Sequence, residues 1–265
     1  MNPAETYCDH CDGIVKNVRA QLPSLEKAAE WFADTILAGR MVHVFGSGHS
    51  RIMVEEMWPR YGSFPGWNPI VELSLTFHNP VVGANGQRQA MFLESTPGLA
   101  ERILRNFDIN DTDSALIISS SGCNVVPIEM AELFKARGLN VVAIVSSAHA
   151  EATKSKDPRG VKLQDFAHVV LDTGAPVGDA MVSIPGLATP VSPGSSVGGC
   201  ILINALKALV AQRLTEAGSP PTVLTGAALV GAEEATRLFE SAYDEHARRL
   251  ASLYAGLGAE AAHND

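Results

Sequence analysis

Along residues 22–38, LPSLEKAAEWFADTILA, the apolar residues Leu25, Ala28, Ala29, Phe32, Ile36 and Leu37 recur near every 3.6 positions, with polar residues between them. That period lays one apolar stripe along a helix, with Ser24 placed to cap its start and Gly39 to end it. The pattern then shortens. MVHVF at 41–45 reads as a buried strand, HSRIMVEEMWPRYG at 49–62 as a helix stopped near Pro59, and NPIVELS at 68–74 as a second strand. TFHNPVVGANGQRQ at 76–89 has no period and predicts a long loop.

The alternation continues to the end of the chain. TPGLAERILRNF (96–107) predicts a helix, SALIISSSG (114–122) a strand running into a small-residue turn, and NVVPIEMAELFKARG (124–138) a helix with Asn124 as its N-cap. LNVVAIVSS (139–147) and AHVVLDTG (167–174) predict two more strands. SSVGGCILINALKALVAQRL (195–214) predicts an apolar helix, and 231–256 an amphipathic one. Five apolar strands alternating with helices predict an α/β fold, a doubly wound five-stranded parallel sheet flanked by helices. The expectation is one domain over residues 1–265, with helical extensions at about 1–40 and 231–265.

Composition narrows the function classes. The net charge of −9 argues against a nucleic-acid binder, which needs clustered Lys and Arg. The polar start, MNPAETYCDHCDG, fits neither a signal nor a transit peptide, and runs such as LNVVAIV are too short for a membrane span, so a cytoplasmic protein is expected. Cys8 and Cys11 form a Cys-x-x-Cys pair with no second pair to complete a zinc site. No metal or cofactor is expected.

In a doubly wound sheet, ligands bind beyond the carboxyl ends of the strands, at helix N-termini. Three polar turns fall there: Gly46-Ser47-Gly48-His49-Ser50, Ser119-Ser120-Ser121-Gly122-Cys123-Asn124, and Ser195-Ser196 opening the apolar helix. Such turns offer free backbone N–H groups, hydroxyl donors and the positive end of a helix dipole, enough to hold a phosphate without Lys or Arg. Each turn alone is equally well a solvated strand–helix loop.

The order of these pieces resembles the sugar isomerase (SIS) domain proteins, which bind phosphosugars. Residues 46–50 look like that family's Gly-x-Gly-x-Ser turn, 119–124 like its serine-rich phosphate loop, and Ser195-Ser196 like its Ser-Thr pair. The chain is most similar to a bacterial single-domain branch with GHS…EEM, GAPVGDA and ILIN in the same order, resembling phosphoheptose isomerases. The resemblance implies that Ser119, Ser121 and Asn124 hold the phosphate within a loop containing Gly122, helped by Ser50, Ser195 and Ser196. Gly48, His49 and Ser120 would lie beside the sugar. Asn124 departs from the family pattern, which has Thr or Ser there.

Aldose–ketose isomerisation needs a base that moves a proton between adjacent carbons. The resemblance implies a glutamate on the helix after the first strand, here Glu56 or Glu55, which project about 100° apart, and a histidine, for which His78 is the candidate and His49, His149 and His246 are competitors. His43, inside a strand, reads as a packed core residue. Asp179 either contacts sugar hydroxyls or caps a turn. The expected ligand is a phosphorylated monosaccharide, and the expected assembly a homodimer or homotetramer through the apolar stripes of 22–38 and 231–256. Three functions remain open: an isomerase, a non-catalytic phosphosugar sensor, and an amino-sugar-phosphate etherase or lyase.

Overall fold

All five apolar runs become strands of one parallel sheet in the computed structural model, which describes residues 2–76, 86–255 and 257. The strands are β1 (Val42–Gly46), β2 (Trp67–Pro69), β3 (Ser114–Ile118), β4 (Asn140–Val145) and β5 (Val169–Asp172), in the order β2-β1-β3-β4-β5. Their side chains alternate between two cores, which is why the runs are apolar at every position. Val42, Val44, Leu116, Ile118, Val142 and Ile144 enter one core; Phe45, Ala115, Ile117, Val141, Ala143 and Val145 enter the other.

The chain opens with α1 (Pro3–Ala20), started by Pro3 and by Asn2, whose Oδ1 accepts from Ala4 N at 2.9 Å. The first core is covered by α2 (Leu22–Leu37), by α3 (Arg51–Met57) and, as α9 below, by the long apolar helix. Here Phe32 and Trp67 meet edge to face, ring centroids 5.9 Å apart. The second core lies under α6 (Leu99–Leu104) and α7 (Val125–Ala136), whose Ile103, Leu104, Ile128 and Phe134 are buried.

The remaining helices are α4 (Leu73–Thr76), α5 (Gly86–Leu93), α8 (Ser147–Ala152), α9 (Ser195–Glu216), α10 (Ala227–Val230) and α11 (Ala232–Ala255). Helix α9 is long and apolar enough to cross a membrane by length and composition alone. In the fold it packs against α1, α2 and α3, and buries Leu202, Ile203, Leu206 and Val210 in the first core.

Two expectations are corrected. The second strand stops at Pro69, and Leu73–Thr76 is helical, because the Glu72 carboxylate caps the turn by accepting from Ser74 N at 3.2 Å and Ser74 Oγ at 2.7 Å. The long loop predicted at 76–89 takes in the start of α5. The stripe of α2, one of the two expected to be left for a partner, is covered within the chain: Leu25, Ala28, Phe32 and Ile36 are all buried.

His43 is a packed residue, as its strand position predicts, and it belongs to a polar tie across three strands. Asn68 of β2 donates to His43 Nδ1 at 2.9 Å, so Nε2 carries the proton and donates to Asp113 Oδ2 at 3.3 Å. The Arg40 guanidinium donates through two nitrogens to Asp113 at 2.8 Å each. Burial alone would raise the Asp113 pKa, but the hydrogen bonds from His43 and Arg40 prevail and hold it below the ordinary aspartate value. A depressed folded-state pKa adds stability that is present above the unfolded-state pKa and is lost as pH falls through the folded one. Asp113→Ala should therefore cost about 3–5 kcal/mol in chemical denaturation at neutral pH. The gap between variant and native chain should narrow below about pH 4.

Candidate functional site

β1 and β3 lie side by side, but the chain leaves their carboxyl ends in opposite directions. After β1 it passes through residues 47–50 into α3 and the first core; after β3 it passes through 119–124 into α7 and the second core. A strand order that reverses at this point leaves a crevice between the two turns. Both turns depend on small residues. A Cβ on Gly46 would lie 2.7 Å from the Ser50 carbonyl oxygen, and Gly122 turns the chain with φ +61°, a left-handed value that glycine adopts without strain.

The crevice opens into a cavity of about 220 Å³. Gly48, His49 and Ser50 line it from the first turn, Ser119, Ser120, Ser121 and Asn124 from the second, and Ser195 and Ser196 from the start of α9. The structure thus brings the three predicted turns together; Gly122 shapes its turn without reaching the wall. Ser119 Oγ accepts from Gly122 N and Ser121 Oγ from Cys123 N, both at 3.3 Å, which leaves their hydroxyl protons free to donate outward. Ser120 Oγ is buried with no protein partner among the described residues, and so is Gln87 Oε1, also on the wall. Among the described residues no Lys or Arg lines this cavity.

Two carboxylates do, Glu94 and Asp179. Glu94, just past the end of α5 and 9% exposed, accepts from Ser47 Oγ at 2.7 Å through Oε2 and from Asn124 Nδ2 at 2.7 Å through Oε1. It therefore joins the turn after β1 to the turn after β3. Burial pushes its pKa above the ordinary glutamate value, opposed in part by the Ser47 hydrogen bond and the Lys156 charge. Asn124 has the extended backbone of an N-cap, φ −85° and ψ 145°, but its side chain makes no cap bond because its amide serves Glu94. Asn124 stays on the cavity wall, with one of its two amide protons given to Glu94. Sequence inspection missed Glu94 because it stands in no motif; the one sign of it is Asn124 where a hydroxyl is usual.

The two glutamates first expected as bases lie elsewhere. The carboxylate of Glu56 accepts from Asn204 Nδ2 of α9 at 2.7 Å and is ion-paired with Arg60, while its carbonyl accepts from the buried Lys207 at 2.8 Å. Burial pushes the Glu56 pKa up, but these hydrogen bonds and charges prevail and hold it below the ordinary value. Glu55 is exposed and pairs with Arg51 at 2.7 Å. Both border a separate cleft with Tyr61, Phe239 and Tyr243, and that placement corrects the assignment of either as a base in this cavity. His78 lies outside the described residues. His149, one of the competitors to His78, lines the cavity and accepts at Nδ1 from Gly178 N at 3.1 Å.

Residues 6–146 match the sequence model of the SIS domain. The chain belongs to the SIS domain family. Its relatives include a UPF0309 protein of Halalkalibacterium halodurans, 32% identical over 86% of this chain and 92% of that protein. Another, from Brucella abortus strain S19, is 34% identical over 88% and 91%. Among solved structures, a phosphoheptose isomerase from Francisella tularensis gives a TM-score of 0.49 at 14% identity, covering 80% of this chain and all of that one. The Vibrio vulnificus NanR protein complexed with ManNAc-6P gives 0.42 at 15% identity, covering 79% and 64%.

In this SIS domain the Ser47 hydrogen bond opposes the rise that burial gives the Glu94 pKa. Ser47→Ala should move the Glu94 titration to higher pH, followed by carbon-13 NMR of the side-chain carboxyl. An unmoved titration would mean that Ser47 does not govern this carboxylate.

Proposed function

We propose that this cavity binds a phosphorylated monosaccharide and interconverts its aldose and ketose forms, with Glu94 as the base. The observation that carries this reading is a buried carboxylate, its proton affinity raised, on the wall of a hydroxyl-lined cavity at two helix starts. The phosphate sits at the turn 119–124, taking hydrogen bonds from the Ser119 and Ser121 hydroxyls and facing the N-terminal end of α7. A base with a raised pKa is matched to taking a proton from carbon and returning it near neutral pH.

In the forward direction Glu94 takes the proton from C2 of the open-chain aldose, giving an enediol as O1 is protonated. O2 then loses its proton, and Glu94 returns the carbon proton to C1 to give the ketose. His149, accepting at Nδ1, carries its proton on Nε2 when neutral and can exchange it with the substrate oxygens. No atom is gained or lost.

The test is incubation of the full chain with aldose and ketose phosphates in deuterated water. Native protein should exchange the proton at C2 and form the isomer. Glu94→Gln should lower turnover by about 10²–10⁴-fold while calorimetry still finds phosphosugar binding. The rate should fall at low pH as Glu94 takes up a proton, with its acid limb above the ordinary glutamate range. Release of an alcohol or acid without isomer would mark an etherase instead, and binding without exchange a sensor. Equal affinity for plain and phosphorylated sugars would refute the phosphate seat.

A further inference from the structure

Helix α9 runs 22 residues and begins at Ser195 on the cavity wall, so its first turn is a second place where a phosphate would be expected to settle. That place is taken by a side chain of the protein itself. The Asp179 carboxylate accepts from Gly194 N at 3.0 Å and Ser195 N at 2.8 Å through Oδ1, and from Ser195 Oγ at 2.5 Å through Oδ2.

Asp179 is braced from both sides. It has a left-handed backbone, φ 53°, and its neighbour Gly178 donates to His149 of α8. Tyr7 of α1 donates to the carbonyl of Pro193, next to the Gly194 amide that Asp179 holds, at 2.9 Å. Two elements beyond α9 therefore keep this carboxylate where it is.

We propose that Asp179 is a specificity-determining residue that excludes a second phosphate from the α9 end of the cavity and reserves it for a sugar hydroxyl, so that the site selects sugar monophosphates over bisphosphates. The inference rests on the phosphosugar reading above. A carboxylate offers about four acceptor positions, and three are used, all by α9. The fourth can accept from a neutral hydroxyl of the ligand. A phosphate brought there would meet a fixed like charge instead, an arrangement that discriminates strongly between partners. The two helix starts thus divide the work. Ser119 and Ser121 at α7 keep hydroxyl protons to give to an anion, whereas at the α9 end Gly194 N, Ser195 N and Ser195 Oγ are given to Asp179, whose carboxylate stands there as an acceptor.

The experiment is calorimetry on the full chain with matched pairs: fructose 6-phosphate against fructose 1,6-bisphosphate, and glucose 6-phosphate against glucose 1,6-bisphosphate. The native chain should bind the monophosphate of at least one pair more tightly than its bisphosphate by at least about tenfold. Asp179→Asn, which keeps the shape and removes the charge, should bring that ratio to within about threefold. Ser195→Ala removes one donor but leaves the charge, and should retain the discrimination. A thermal melt of each variant checks its fold, and the native-chain ratio stands as a test whether or not Asp179→Asn folds. Equal binding of both members of every pair that the native chain binds, or an unchanged ratio in a folded Asp179→Asn, would overturn the proposal while leaving the phosphosugar reading in place. Failure of every sugar phosphate to bind would overturn that reading, and this inference with it.

Discussion

The site is held together by one carboxylate shared between two turns. Where the chain leaves β1 and β3 in opposite directions, their pairing ends at Gly46 and Ile118 and the two turns part. Glu94 closes that gap by accepting from Ser47 on one side and Asn124 on the other, both at 2.7 Å. Taking a carboxylate out of water costs several kcal/mol, and two side-chain donors recover only part of it, so the same bond that sets the spacing of the cavity leaves Glu94 with an enhanced affinity for a proton. Geometry and reactivity come from a single group.

The same wall carries the proposed phosphate seat in a chain of net charge −9. The donors are hydroxyls, backbone amides and the positive end of a helix, each worth a modest amount where water is partly excluded. With no lysine or arginine on the wall among the described residues, the balance of charge is narrow, and each acidic group on the cavity matters to it. Glu94 faces the ligand's reacting carbons in the proposed mechanism, and Asp179 answers the dipole of α9 from within the protein. In the proposed reading, an α9 end without Asp179 would offer phosphate a second seat, and a ligand with one phosphate would have two competing orientations.

The fold was legible because its signals are local and periodic. Valine-rich runs with no polar alternation predict strands buried on both faces, and α2, α7, α9 and α11 emerge within a few residues of their predicted limits. The failures have physical causes. Ile70 and Val71 favour a strand by propensity, but the register with β1 ends at the Val44–Pro69 pair and Glu72 caps a helical turn instead. The three polar turns were legible through their order along the chain, since each alone is equally well a solvated strand–helix loop. Glu55 and Glu56 were misplaced because helical spacing fixes the angle between two side chains but not which of them faces the ligand. That is decided by α9, where Asn204 and Lys207 engage residue 56, a pairing across 148 positions in one case and 151 in the other.

Asn124 and Glu94 make the same point in the opposite sense, since each explains the other. A threonine or serine at 124, as the family resemblance would have it, carries a hydroxyl too short to cap its own helix and also reach across to the end of α5. The longer amide makes that reach and gives up the cap. A buried acid without the amide would lose one of its two side-chain donors; an asparagine without the acid would turn back to its own backbone amides, as N-caps do. The departure from the expected motif is therefore itself a structural signal. An amide where a hydroxyl is usual calls for an acceptor nearby, and in this fold the acceptor is the one glutamate on the cavity wall among the described residues.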